Sequence, residues 1–152
     1  MIIKKLSAIR VYGHEYTGYT DKIDSLKSYF RNNMIFLDSS IRNELFNKEN
    51  PIYTKPKDRA PATYGPDSVV ENSFISDGCS IDGTVINCII SRGVKVAKGA
   101  VVKNSVIMQD SIIDENAYLD HVIFDKGVHI TSGRKLLGQD SYPLPIEKGG
   151  MI

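Results

Sequence analysis

Between Val70 and Ile130 the aliphatic residues return at a step of five or six, through four successive passes of similar wording. Set in register, the segments Val70–Ile75, Val85–Ile90, Val102–Ile107 and Leu119–Phe124 each place a polar residue third, namely Asn72, Asn87, Asn104 and His121. These polar positions lie 15, 17 and 17 residues apart. Self-similarity at a fixed period predicts a solenoid in which each pass stacks on the one before.

The step yields three columns of inward residues. One is Ile75, Ile90, Ile107 and Phe124; the second is Ile81, Val96, Ile113 and Ile130; the third is Val85, Val102 and Leu119, started by Val70. Three columns per turn predict a triangular prism. Two residues ahead of the column members runs a compact series: Ser73, Cys88, Ser105 and Val122; Cys79, Val94, Ser111 and Val128; Gly83, Ala100 and Ala117. Small side chains fit where backbone turns tightly beside a filled interior. Gly78, Gly93, Gly99 and Gly127, with Asp110 and Asn116 at equivalent points, are residue types that accept positive φ, and they mark corners.

Parallel strands repeat every ~4.8 Å, so four turns predict a prism about 19 Å tall with open strand edges at both ends. Residues 51–67, punctuated by Pro51, Pro56, Pro61 and Pro66, read as an extended linker that covers the first end. Residues 132–152 are expected to cap the last, leaving 68–131 as the coil. Ahead of the linker, Ile23, Leu26, Phe30, Met34 and Leu37 recur at three and four behind Thr20 or Asp21 as N-cap, predicting an amphipathic helix of about four turns. Ser39 or Ser40 caps a shorter helix carrying Ile41, Leu45 and Phe46. The alternation over Ala8–Tyr12 predicts a strand, followed by a loop and another short strand, and residues 1–50 read as the tail of something larger.

The 19 basic and 18 acidic residues nearly cancel, so bulk charge argues for neither nucleic acid nor an anionic membrane, and any anion site must be local. No run approaches the ~20 apolar residues of a membrane span, and the N-terminal Met-Ile-Ile-Lys-Lys-Leu lacks the features of a signal peptide, which predicts a cytoplasmic protein. Cys79 and Cys88 match no metal-ligand spacing and fall in the compact series, where they read as buried apolar fillers.

Six-residue steps such as Val96-Ala-Lys-Gly-Ala-Val-Val102 resemble the hexapeptide repeat of left-handed β-helices. The resemblance implies a mainly β fold, a left-handed parallel β-helix of about four turns preceded by a short strand and an α-helical segment. Its left hand comes from the resemblance, since ordinary parallel crossovers are right-handed. Many hexapeptide proteins are acyltransferases, and a trimeric acyltransferase is one reading.

A second resemblance covers essentially the whole chain. Gly18-Tyr-Thr-Asp-Lys-Ile-Asp, leading to Asn32-Asn33-Met34, is similar to the end of the catalytic domain of bacterial ADP-glucose pyrophosphorylases (glucose-1-phosphate adenylyltransferases). Pro51-Ile-Tyr-Thr-Lys, the Asn-Ser turns, Arg92-Gly-Val-Lys-Val96 and Val106-Ile-Met-Gln109 extend the likeness, most nearly to the D-type glycogen-biosynthesis subunit, regarded as non-catalytic or regulatory. Thr20 stands at the family's Trp, Asp24-Ser25 at its Gly-Thr, and Lys22 where its metal-holding Asp is expected. An ammonium cannot ligate Mg²⁺, although Asp21 or Asp24 could substitute if the register slips. The family's nucleotide loop lies in an N-terminal domain, and no Gly-x-Gly-x-x-Gly occurs here. The chain is therefore expected to be a C-terminal piece, inactive alone and without a cofactor, Mg²⁺ and ATP belonging to the catalytic domain.

The same resemblance implies an effector site in the crevice between domains. Arg92, Lys95 and Lys126 are similar in place to basic β-helix residues that bind phosphorylated sugars or phosphate. Arg92 and Lys95 flank one corner, and Lys126 lies 34 residues after Arg92 on the equivalent corner two turns later. Charge-assisted hydrogen bonds would hold a phosphate there; alternatively these are simply charged outward positions, as at Lys98 and Lys103. Among the histidines His14, His121 and His129, an acyltransferase would need one as general base, whereas His121 also fits a corner that hydrogen-bonds like Asn104. Asn72, Asn87 and Asn104 are expected to bond as stacked amides along the axis. Tyr12, Tyr16, Tyr19, Tyr29 and Tyr53 are expected to face the N-terminal domain. The expected partners are that domain, further copies or a catalytic subunit, and a phosphorylated-sugar or phosphate effector.

Overall fold

A computed structural model of the protein describes residues 10–49, 51–54 and 57–152. The repeat forms three parallel sheets of five strands. The first face stacks Thr63–Tyr64, Ser80–Ile81, Lys95–Val96, Ile112–Ile113 and His129–Ile130. The second stacks Val69–Glu71, Thr84–Ile86, Val101–Lys103, Tyr118–Asp120 and Lys135–Leu137. The third stacks Phe74–Ile75, Ile89–Ile90, Val106–Ile107, Val122–Phe124 and Leu144–Ile146. Every predicted column is a line of register partners, as in Val70, Val85, Val102 and Leu119. The chain is thus mainly β, a parallel β-solenoid of about four turns with a short helical segment before it.

Strands of two or three residues cannot stand on their own ladders, and the interior explains why they hold. Ile81, Val85, Ile90, Val102, Ile107, Ile113, Leu119, Phe124 and Ile130 are sealed from solvent. Each such side chain contributes roughly 1.5–3 kcal/mol relative to exposure. Most of the compact series is buried beside them, including Cys79, Cys88, Val94, Ala100, Ser105 and Ser111. Burial pushes the Cys88 thiol up to about 12 and raises that of Cys79, as fits inert filler.

The corners carry positive φ where the residue types predict it, including Asp110 (60°) and Asn116 (57°). Asn72, Asn87, Asn104 and His121 also lie there, with φ between 42° and 52°. These four therefore serve a backbone need as well as the axial ladder. In that ladder Asn72 Nδ2 donates to Asn87 Oδ1 (2.8 Å) and Asn87 Nδ2 to Asn104 Oδ1 (3.2 Å). It then departs from expectation: Asn104 Nδ2 donates to Asp120 Oδ1 (2.9 Å), and His121 Nδ1 meets the same oxygen at 2.7 Å. A carboxylate accepts from both neighbours, which an imidazole in line could not.

The helical segment is shorter than the apolar spacing predicts. Helix α1 spans Leu26–Met34 and is followed by a 3₁₀ turn at Ile35–Leu37. Its N-cap is Ser25, neither Thr20 nor Asp21, because Ser25 and Ser28 satisfy each other's backbone N–H groups. Asp21 is engaged elsewhere, bound through both oxygens by Arg31 at 2.8 and 2.6 Å. Ile23 stays exposed and contributes nothing to the apolar face. Helix α2 spans Ser39–Leu45, and its cap is Asp38, which accepts from Ser40 N, in place of either serine. Phe30 of α1 packs with Val106 and Ile123 on the third face, so the helix is fixed to the prism. Of the predicted strand over Ala8–Tyr12, Ala8 and Ile9 lie outside the described residues, and Arg10–Tyr12 are not in a strand; nor is any residue between Gly13 and Gly18.

Strand stacking begins at Thr63 and runs on through Ile146, beyond 68–131 on both sides. Pro61 and Pro66 flank the Thr63–Tyr64 strand, so the donors the ladder uses, Thr63 N to Cys79 O and Gly65 N to Ile81 O, are free of proline. The end of the linker is consequently the first layer, not a cover over it. Inward-facing Tyr64 and Val70 remain 54% and 37% exposed, beside exposed Val69 and Phe74. The opposite end is closed by Leu136, Leu144, Ile146 and Ile152 against the core.

Candidate anion-binding edge

The corner between the third and first faces presents one outward residue and one left-handed residue at each level: Asp77-Gly78, Arg92-Gly93, Gln109-Asp110, Lys126-Gly127 and Lys148-Gly149. Backbone bonds fix the levels: Gly93 N to Asp77 O, Asp110 N to Arg92 O, Gly127 N to Gln109 O and Gly149 N to Lys126 O. Arg92 and Lys126 thus share one edge, two levels and roughly 10 Å apart at a strand spacing of ~4.8 Å. Lys95 opens a strand of the first face three residues after Arg92 and is exposed. The structure brings the three cations to one side of the prism. It adds Lys148 to the same edge and Arg59 beside it.

Neither addition was visible in the periodicity. Lys148-Gly149 repeats the dipeptide Lys126-Gly127, but 22 residues later, because the Gln139–Tyr142 bridge inserts a loop that breaks the period. That repeated dipeptide was the available signal. Arg59 lies outside the repeat altogether. Its Nη2 meets Asp110 Oδ1 at 2.8 Å, a contact between residues 51 apart that no local pattern announces.

Among the described residues Arg92, Lys95 and Lys126 form no ion pair. The other exposed lysines of the prism are differently placed: Lys98 faces Asp67 at 3.6 Å, while Lys103 and Lys135 lie 6.0 and 5.8 Å from the Tyr118 ring. Unpaired cations on one edge can offer an oxyanion several N–H donors, bidentately from arginine. The Gln109 Oε1 between them is enclosed, with no donor among the described residues.

Other candidate groups are committed. His121 is held by Asp120 and lies 6.1 Å from the Phe30 ring, and His129 Nε2 contacts Asp114 Oδ2 at 2.9 Å. The two occupy different parts of the prism, and His14 is a third, exposed location. Asp21 is clamped by Arg31, and Asp24 faces Lys22 at 3.4 Å and Ser28 Oγ at 3.3 Å. Among the described residues no cluster of His, Cys, Asp or Glu could hold a metal ion. A groove of about 410 Å³ on another corner is lined by Asp67, Asp82 and Glu115 with Lys98, a lining that repels anions. Tyr12, Tyr16 and Tyr53 are exposed, whereas Tyr29 packs against the α1 cluster and Tyr19 donates to Asn32 Oδ1 at 2.8 Å. Among the described residues no helix is long and apolar enough to cross a membrane.

Residues 60–142 match the family model described as GlmU-like, C-terminal hexapeptide. The glycogen biosynthesis protein GlgD of Bacillus subtilis (strain 168) is 42% identical over 146 residues, 96% of this chain and 43% of that protein. GlgD of Geobacillus stearothermophilus is 48% identical over 69 residues, 45% of this chain and 20% of that protein. The glucose-1-phosphate adenylyltransferase of Geobacillus stearothermophilus is 33% identical over 94 residues, 62% of this chain and 24% of that protein. The chain spans less than half the length of these curated relatives.

Proposed function

Since the chain belongs to the GlmU-like, C-terminal hexapeptide family, we propose that it is the regulatory and oligomerisation part of a cytoplasmic protein of glycogen synthesis similar to glucose-1-phosphate adenylyltransferase. The observation carrying this reading is the pair of uncompensated cations Arg92 and Lys126, stacked on one edge beside Lys95. In this reading the edge takes phosphate or a phosphorylated sugar. The nucleotidyl transfer itself, with ATP and Mg²⁺, belongs to an N-terminal domain or a catalytic partner subunit. Exposed Tyr12, Tyr16 and Tyr53 are the side chains offered to that domain. The open first end, with Tyr64, Val69, Val70 and Phe74, offers a surface for association with further subunits.

Two measurements test this. The double substitution Arg92→Ala/Lys126→Ala in the full-length protein is expected to abolish calorimetric binding of inorganic phosphate or fructose 1,6-bisphosphate; unchanged binding would remove the site. Mixing the full-length protein with a catalytic glucose-1-phosphate adenylyltransferase is expected to change the rate or phosphate response of ADP-glucose formation. No complex and no change would end the regulatory reading. A trimeric acyltransferase is less well supported, because the two prism histidines lie on different parts of the coil, each part-buried and paired with its own carboxylate, His121 with Asp120 and His129 with Asp114.

A further inference from the structure

The left-handed position of the anion-binding edge is glycine at four levels and aspartate at one, Asp110, with φ 60°. Aspartate tolerates this conformation, but glycine adopts it without a Cβ penalty. What distinguishes Asp110 is its carboxylate, which Arg59 holds. Arg59 comes from the proline-rich linker, whose Ala60 O accepts from Gly78 N at 2.7 Å. Its side chain runs along the corner in a trough left by two glycines. A Cβ on Gly78 would stand 2.8 Å from Arg59 Cδ, and one on Gly93 would collide with Arg59 Nη1. The trough therefore delivers a guanidinium from the linker to Gly93, the residue after Arg92, and to Asp110, one level before Lys126.

We propose that Arg59 is a further cation of the anion-binding edge, and that Asp110 is its built-in competitor, occupying Arg59 until an oxyanion takes the carboxylate's place. This rests on the reading of Arg92 and Lys126 as an anion site. The pair is open to exchange: the two side chains are 35% and 59% exposed, and pairs in such surroundings contribute little net stability. A phosphate between Arg92 and Lys126 offers Arg59 an alternative acceptor, bidentate and of higher charge, while the Asp110 carboxylate repels that phosphate. Binding consequently draws Arg59 from Asp110 and re-seats the linker, which couples occupancy of the edge to the segment joining it to the preceding residues.

The test is calorimetric titration of the full-length protein with inorganic phosphate, together with trypsin cleavage at Lys57 and Arg59 with and without phosphate. Asp110→Asn is expected to tighten phosphate binding roughly three- to tenfold, a tenfold change corresponding to about 1.4 kcal/mol. Arg59→Gln is expected to weaken it by a similar factor, and Arg59→Gln/Asp110→Asn to bind more weakly than Asp110→Asn alone. Asp110→Gly serves as a second charge-removing variant, since glycine is the residue at the other levels and keeps the backbone conformation; it too is expected to tighten binding. In the unsubstituted protein phosphate is expected to change linker cleavage. If Arg92→Ala/Lys126→Ala loses phosphate while the Arg59 and Asp110 variants titrate like the parent, this inference fails and the anion site stands. If the parent binds no phosphate, or that double variant binds it unchanged, both fail.

Discussion

Replacing Asn104 by alanine separates the two duties that the structure gives the amide corner. The side chain accepts from Asn87 at 3.2 Å and donates to the Asp120 carboxylate at 2.9 Å, while its backbone is held at φ 44°. A neutral hydrogen bond contributes about 0.5–1.5 kcal/mol and one to a charged group about 1.5–3 kcal/mol. Part-exposure places both at the lower ends, together about 2 kcal/mol. Alanine in the left-handed region adds roughly 1–2 kcal/mol of strain, so Asn104→Ala is expected to lose about 3–4 kcal/mol. Asn104→Gly loses the same bonds without the strain, and the freedom of glycine in the unfolded chain costs about 0.5–1 kcal/mol, so its loss is about 2.5–3 kcal/mol. The order of the two variants is the informative quantity: in a helix or strand interior glycine is the worse replacement, and here alanine is. Urea unfolding followed by far-ultraviolet circular dichroism reads both, with the m-value expected to hold. A cycle with Asn87→Ala should show a coupling of at least about 0.5 kcal/mol across the 3.2 Å bond. An alanine variant as stable as the glycine variant would refute the backbone argument, and zero coupling would refute the ladder.

Ile107 is sealed inside the middle of the stack, so Ile107→Ala is expected to lose about 2–5 kcal/mol in the same urea assay, whereas outward, 36% exposed Ile112→Ala should stay within about 1 kcal/mol. Cys88, with its thiol pushed up to about 12 by burial, is expected to resist iodoacetamide at pH 8 in the folded protein and to react once urea unfolds it; rapid labelling of the native state would contradict the filler assignment. The Asp38 carboxyl is held below its ordinary range by hydrogen bonds from the Ser40 side chain and backbone. Because its folded pKa is depressed, its support of α2 is fully present above the ordinary value of ~3.9 and disappears as pH falls through the lower folded value. Helical dichroism should therefore decline as the solution is acidified below about pH 4 more steeply than in Asp38→Asn, which still caps but does not titrate.

The interior was legible because it obeys one local rule. A side chain that must fill a triangular prism recurs at each level, so Ile75, Ile90, Ile107 and Phe124 could be aligned by counting, and they are register partners in the structure. The helices were legible in existence and not in extent. The apolar spacing of Ile23 and Leu26 suggested an earlier start, but the first turn is decided by which hydroxyl reaches which N–H, and Ser25 with Ser28 makes both bonds. The first end differs from expectation for a related reason: proline density describes what residues 51–67 cannot donate, while strand membership needs only the few donors at Thr63 and Gly65 that proline leaves intact.

The outer edge followed a different logic. Arg92, Lys95 and Lys126 could be placed because outward residues inherit the period of the inward ones, whereas Arg59 reaches the edge from outside the repeat and Lys148 from beyond an inserted loop. Lys148 is traced by its repeated Lys-Gly dipeptide, and the trace of Arg59 in the wording is indirect. Gly78 and Gly93 stand where a side chain must pass, and Asp110 stands where a glycine would satisfy the backbone equally well. A departure from the periodic rule that the interior does not require has to be explained by what lies across the corner from it, and here that is a guanidinium carried by the linker. The solenoid thus specifies its own core by repetition, and the points where repetition is broken on the outside are where its chemistry should be sought.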